Sequence, residues 1–332
     1  MSQPLDFLAI GDIVTEPFIR LTEAEVHCEK GALECQLCLA FGEKIPYESA
    51  TVVAAVGNAS NAAVSAARLG LDSGLRAYVG EDRYGEEMLE VLKNEKVSTE
   101  YMVTQPGKAS NYHYVLWYQT ERTILIKHEL FDYEVPTLSS SPVWVYCSSL
   151  ADNSIPYYHA LMELFAKHPE IKIAFQPGTF QIKTDAKEFA DVYAASEIFF
   201  CNKEEAEHIL KFTAVPSIKD LLTGMRALGP KIVVITDGTN GAYAYDGTTS
   251  WKIPMYPDAR KPFERTGAGD AFASTVVAAL ALGKPLEEAL LWGPINSMSV
   301  VQDIGAQRGL LTREQLEKYI ADAPASYVLE VI

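Results

Sequence analysis

The sequence predicts an α/β fold: a predominantly parallel central sheet flanked by helices, with a small β-rich lid. Three observations lead there. Short apolar runs, VWVYCSS, IKIAFQP, EIFFCN and KIVVITDG, alternate with helical patterns between residues 143 and 238. Such runs lack polar alternation, which marks strands buried on both faces and joined by crossover helices. Segments near 18–50, with alternating stretches such as ECQLCLAF, and 110–128, with two β-rich runs, instead read as β-ribbon. From Ala268 onward the pattern is helical.

Taken in order, DFLAIGD is a short apolar strand ending on a turn. Residues 18–55 follow as ribbon, with stretches such as ECQLCLAF. Asn61 to Leu69 is helical in composition and stops at Gly70, a fitting C-terminal residue. LRAYVG is a strand, and YGEEMLEVLKNEKV an amphipathic helix with Met88, Leu89 and Leu92 on one face. NYHYVLWYQTERTILIKHE is a hairpin turning at QTER, with Tyr112, Tyr114, Leu116 and Tyr118 sharing a face by period two. The apolar runs come next, then a second hairpin, GAYAYDGTTSWKIP, turning at Asp246-Gly247. Helices begin near Ala268, near Leu286 and at Thr312, whose T-R-E-Q is a capping box with Gln315. No repeat or linker divides the chain, so residues 1–332 are expected to form a single domain. The lid segments, near 18–50 and 110–128, are distant in sequence and would form a flap over the sheet.

Composition narrows the function classes. No apolar run approaches the roughly 20 residues of a membrane span. The opening MSQPLDFLAIGD lacks a basic leader region, so a cytoplasmic location is expected. A net charge of −16 argues against duplex nucleic acid as a general partner. A small anion is still admissible, because a helix N-terminus can hold phosphate within an acidic protein. Among the cysteines, Cys147 and Cys201 lie in apolar runs and read as buried hydrophobes. Cys35 and Cys38 form one C-x-x-C, with Cys28 and His27 upstream. A lone C-x-x-C is weak support for zinc or a redox pair, so free thiols are expected.

The stretch ERTGAGDAFAS (264–274) carries the chemistry. Gly267 and Gly269 have no Cβ, so backbone N–H groups there can approach an anion, aided by the partial positive charge of the following helix. Asp270 falls in the first helical turn, where a carboxylate can accept the proton of a hydroxyl attacking a bound phosphoryl group. The plainer reading is an aspartate that complements the helix dipole. Neither a Walker loop nor a Rossmann fingerprint is present.

The order of motifs adds a resemblance. TGAGD resembles the core of the D-T-x-G-A-G-D signature of the ribokinase-like PfkB family of carbohydrate and nucleoside kinases. GDIVTE (11–16) looks like that family's first strand and substrate turn, and VGNASNAAVSAARLG (56–70) like its G-G-x-x-x-N segment. VGEDRYGEEML (79–89), NKEE (202–205) and TDGTNGA (236–242) are similar to V-G-x-D-x-x-G, N-x-x-E and T-x-G-x-x-G. The resemblance spans nearly the whole chain and implies a ribokinase-like fold using ATP and Mg2+.

It also implies roles. Asp270 would be the general base, and the amides of Gly267, Ala268 and Gly269 an anion hole. Asn202 and Glu205 would arrange Mg2+ through water, although an Asn before Glu-Glu also reads as a helix cap. Thr236, Gly238 and Gly241 would face the nucleotide, with Asn296 near the adenine. Glu16, Gly57, Asn61 and Tyr112 would meet the acceptor. Tyr112, Tyr114 and Trp117 could stack on it, and Arg122, Lys127 and His128 could meet a phosphate. Three positions depart from the family. Glu16 stands where Asp is usual, Val56-Gly57 replaces a doubled glycine, and Glu264-Arg265 replaces Asp-Thr. That Asp often helps to bind a monovalent cation, so K+ is implied less directly than Mg2+. The leading expectation is transfer of the γ-phosphoryl group of ATP to a small sugar. A nucleoside acceptor is the near alternative, and a non-catalytic sugar or nucleotide sensor the alternative of another class. The exposed ribbon suggests a homodimer through the lid.

Overall fold

The computed structural model describes residues 4–28, 35–119, 121–258 and 260–332. Residues 29–34 and 120 of the expected lid segments lie outside the described residues. The large sheet, nine strands among the described residues, has its order set by the apolar runs. Ser73–Arg76, Phe7–Ile10, Trp144–Cys147, Lys172–Phe175, Ile198–Asn202 and Ile232–Thr236 are parallel neighbours in that order. The hairpin Ala242–Tyr245 and Ser250–Ile253, then Glu330–Val331, extend it antiparallel. Successive side chains of the parallel strands feed two cores. Phe7, Ala9, Trp144, Tyr146 and Phe200 pack toward helices Asn58–Arg68, Ala268–Ala281 and Leu286–Val300. Leu8, Ile10, Val145, Cys147 and Phe199 pack toward Ile155–Phe165, Ala190–Ala195 and Ile218–Ala227. Burial pushes the Cys147 thiol up to about 12, so this sulfur behaves as a small hydrophobe.

A second sheet holds Glu121–Leu125, Tyr114–Tyr118, Val14–Leu21 and Tyr47–Val56 in that order. The chain enters it from Phe7–Ile10 and leaves it into Asn58–Arg68, crossing itself where Gly57 adopts φ 111. A Cβ on Gly57 would lie 2.9 Å from the carbonyl oxygen of Asp12, so glycine is required there by both conformation and space.

Several expectations are corrected. LRAYVG is not one strand: Ser73–Arg76 joins the large sheet, whereas Tyr78–Gly80 pairs with Val103–Gln105. The helix expected from Asn61 begins at Asn58, a turn earlier. Cys28 and Cys35 are not free thiols. They stand directly opposite each other in the hairpin Glu25–Cys28 and Cys35–Cys38 and are joined as a disulfide. Cys38, Cys147 and Cys201 are free. Among the described residues no helix is long and apolar enough to cross a membrane.

One buried amide fastens the helices behind the signature stretch. Asn296 is fully buried and donates to Thr275 Oγ1 at 2.8 Å and Ser65 Oγ at 3.4 Å, while its Oδ1 accepts from the Leu311 amide at 2.9 Å. Asn296→Leu would strand the Leu311 donor in the core. Chemical denaturation should show a loss of about 2 kcal/mol, the cost of a buried unsatisfied group.

Candidate active site

The helix Ala268–Ala281 begins beside the ends of the parallel strands, and its N-cap residue Gly267 makes no side-chain capping bond to its first turn. Gly267 sits at φ 77, and a Cβ there would lie 2.4 Å from that of Ala306. Glu264 fixes this loop. Its buried carboxylate accepts from the amides of Thr266 at 2.7 Å and Gly305 at 2.8 Å, joining two loops distant in sequence. The leading N–H groups of a helix have no partner within it, so this turn presents donors to whatever lies in front.

Asp270 lies in that turn, half-buried, with a ring of amide donors. Its Oδ1 accepts from Asn58 Nδ2 at 3.0 Å and Gln176 Nε2 at 3.2 Å, and its Oδ2 from Asn61 Nδ2 at 2.8 Å. The donors are oriented from behind. Gln307 Nε2 donates to Asn61 Oδ1 at 3.0 Å, and the Tyr146 hydroxyl donates to Gln176 Oε1. With their oxygens engaged, both amides turn N–H toward the aspartate. Desolvation raises the Asp270 pKa above the ordinary aspartate value. The Asn61 and Gln176 bonds oppose this, Glu16 adds to it and Arg122 opposes it. The net result is a carboxylate more basic than one in water, held in a single orientation.

Two cavities meet at this helix start. One, of about 480 Å³, is polar and is lined by Glu16, Gly57, Asn61, Arg122, Glu205 and Asp270 among others. The other, of about 350 Å³, has Gly241, Met255, Phe272, Ser297 and Met298 on its walls. Thr236, Gly238, Arg265, Ala268, Gly269 and Phe272 border both. Glu16 reaches the polar cavity from the second sheet, where a register shift between Val14 and Glu16 bends the strand. The ring of His113 backs its carboxylate at 3.7 Å. Asn202 and Glu205 reach the same cavity from the end of the strand Ile198–Asn202 in the large sheet. They form a reciprocal cap, Asn202 Oδ1 accepting from the Glu205 amide and Glu205 Oε2 from the Asn202 amide, both at 2.8 Å. Desolvation raises the Glu205 pKa, against the Asn202 amide bond. No group of three or more His, Cys, Asp or Glu among the described residues is arranged to hold a metal ion by itself.

Most residues singled out from the sequence converge here. Glu16, Gly57, Asn61, Asn202, Glu205, Gly267 and Asp270 line the polar cavity, Gly241 the adjoining one, and Thr236, Gly238, Ala268 and Gly269 both. Tyr112 and Asn296 are not brought to the walls. The Tyr112 ring packs on Tyr84 at 4.7 Å and Tyr114 at 5.3 Å. The side of the hairpin that turns inward carries Val115, Trp117, Arg122 and Ile124. The amide of Asn296 is committed to the core, and its neighbours Ser297 and Met298 take the wall. Trp117 packs edge-on against Phe263 rather than standing free for stacking. The ring of His128 lies 3.2 Å from the carboxylate of Asp12.

Sequence reasoning missed Asn58 and Gln176 as partners of Asp270, and Glu264 as the clasp of the loop. Asn58 stands one helical turn before Asn61, and Gln176 directly follows an apolar strand, where open parallel sheets present ligand-facing groups.

Comparison with known proteins follows the same lines. The profile of the pfkB family carbohydrate kinases matches residues 27–313. The ribokinase of Bacillus subtilis is 27% identical over 80% of this chain and 87% of its own. The 5-dehydro-2-deoxygluconokinase of Geobacillus thermodenitrificans is 24% identical over 99% of this chain and 96% of its own. A nucleoside kinase of Methanothermobacter thermautotrophicus is 24% identical over 80% and 84%. Among solved structures, Arabidopsis thaliana ribokinase complexed with ribose and ATP superposes with a TM-score of 0.77 at 18% identity, covering 95% of this chain and 98% of that one. That likeness shows a ribokinase-like fold. With the family profile spanning most of its length, the chain belongs to the pfkB family of carbohydrate kinases.

Proposed function

We propose that this kinase transfers the γ-phosphoryl group of ATP to a hydroxyl of a small sugar, with Asp270 as general base and the backbone at 267–269 as anion hole. The observation that carries the reading is a carboxylate recessed in the polar cavity and held by three amide donors, in the same first helical turn as the backbone of Ala268 and Gly269, which borders both cavities. ATP would place its base in the cavity lined by Met255, Phe272 and Met298 and its phosphates across Thr236, Gly238 and Gly269. Glu16 and Asn61 would take hydroxyls of the acceptor. Asp270 would accept the proton of the attacking hydroxyl, and the amides of Gly267, Ala268 and Gly269 would take up charge on the transferring group.

Glu205 and Asn202 suit Mg2+ held through water, since that ion retains waters and binds few protein carboxylates directly. Bound there, it would neutralise phosphate charge. At the position the family uses for a monovalent cation, Glu264 is engaged by the amides of Thr266 and Gly305. The second sheet would act as a lid of the single domain, with segments near 18–50 and 110–128 closing over the acceptor. Its outward face carries Val52, Tyr114 and Leu125, each about half exposed, and a second copy of the chain is the partner that would cover it. ATP as donor favours a cytoplasmic location. A nucleoside acceptor is the second reading, supported by the nucleoside kinase among the relatives.

Assays of ATP-dependent transfer to a panel of sugars and nucleosides test the reading. Asp270→Asn should lower kcat by about 10²–10⁴-fold with ATP affinity nearly unchanged, and turnover within threefold of wild type would remove Asp270 from the mechanism. Because the Asp270 pKa is raised, wild-type kcat/KM should fall on the acid side through an apparent pKa above the ordinary aspartate value.

Gly269→Val separates the anion hole from the fold. A Cβ at Gly269 has only Gln176 Nε2 nearby, at 3.8 Å, so the variant should fold. Its branched side chain would occupy the space before the amides and lower kcat by roughly 10²–10³-fold. A folded variant with normal turnover would show that this loop cradles no phosphate.

Glu16→Gln should raise the acceptor KM far more than the KM for ATP. Unchanged acceptor kinetics would place Glu16 outside the site.

A further inference from the structure

The polar cavity contains a cation that the proposed chemistry leaves unused. Arg122 lies on the inward side of the strand Glu121–Leu125, directly across from Trp117, and lines this cavity with Ile124 and Glu16. Its Nε is buried without a hydrogen-bond partner, and its guanidinium enters no ion pair among the described residues. Arg20, aligned with Trp117 from the other side, makes the contrast. It stacks over that ring at 4.7 Å and pairs with Glu48 at 3.0 Å. Burying a guanidinium donor without a partner is costly, and its fork of donors matches the paired oxygens of a carboxylate or phosphate.

The position separates two candidate anions. Arg265 borders both cavities, beside the helix start, and on the kinase reading would face the phosphates of the donor. Arg122 borders the polar cavity and is not on the walls of the adjoining one. It is also near enough to Asp270 to draw that carboxyl's pKa down against the effect of burial. Resting on the kinase reading above, we infer that the acceptor carries its own anionic group, a carboxylate or a phosphate ester, which Arg122 holds while Glu16 takes neutral hydroxyls. The acceptors favoured by this wall are sugar acids and sugar monophosphates rather than neutral sugars.

The test pairs each anionic compound with its neutral counterpart. The panel comprises hexonates and pentonates, including keto and deoxy forms, sugar monophosphates, and the aldoses and ketoses of matching skeleton. Each is titrated calorimetrically into the full-length protein and assayed with ATP. Wild type should prefer one anionic compound over its counterpart by roughly 10- to 100-fold, the worth of a hydrogen-bonded charge. Whether sugar acids or sugar phosphates show the effect identifies the anion. Arg122→Gln should remove most of that preference, and Arg122→Lys should keep part of it, with thermal unfolding confirming that both variants fold. Equal use or binding of neutral counterparts by wild type would overturn the inference. So would equal losses for both classes in Arg122→Gln, which would assign the guanidinium to the transferring group. Failure of the kinase reading looks different: an anionic preference in calorimetry with no transfer from ATP to any compound would sink the catalytic assignment and leave the binding inference standing.

Discussion

The candidate site depends on one arrangement, a recessed carboxylate enclosed by neutral donors. Asp270 receives N–H groups from Asn58, Asn61 and Gln176, and these donors come from two separate elements. The two asparagines need the helix that starts immediately after the crossing at Gly57. The glutamine needs the strand Lys172–Phe175 to end level with the helix start. The groups that hydrogen-bond the carboxylate are neutral, so they orient it without a full charge in direct contact, and Arg122 lowers its pKa without overcoming the effect of burial.

The two sheets divide the labour around this group. The parallel sheet brings strand ends carrying Asn202, Thr236 and Gln176 to one side of the molecule, as open α/β sheets do. The smaller sheet supplies Glu16 and Arg122 from the opposite wall. Its strands come from segments between Val14 and Leu125 that are separated in sequence, so the wall carrying Glu16 and Arg122 forms only when those segments have come together. The Gly57 crossing is therefore more than a turn, because it sets how far the second sheet stands from the helix that carries Asn58 and Asn61.

Much of this was legible in the sequence. The apolar runs ending at Cys147, Phe175, Asn202 and Thr236 became parallel strands because burial on both faces leaves a clear compositional mark. Asp270 was legible through its glycines. The amide ring was less so, because Asn58 and Gln176 acquire their roles from contacts across more than ninety positions, as with Gln176 and Asp270. Tyr112 and Asn296 stand off the cavity walls for a related reason: a motif names a position in the chain but not the direction in which its side chain turns. In the hairpin the inward side belongs to Val115 and Trp117. In the last long helix the core claims Asn296. The disulfide between Cys28 and Cys35 was obscured by the more conspicuous C-x-x-C spacing of Cys35 and Cys38.

The Glu264 clasp has a mechanical consequence. One side chain grips the amides of Thr266 and Gly305, and Gln307, two residues beyond Gly305, grips Asn61. The loop ahead of the helix, the loop at 305–307 and one donor to Asp270 are thereby linked in series. Slack in any link would blur the positions of the backbone donors and of the aspartate together. Their alignment is thus installed when the chain folds, and an incoming substrate meets a frame already set rather than one that it must tighten itself.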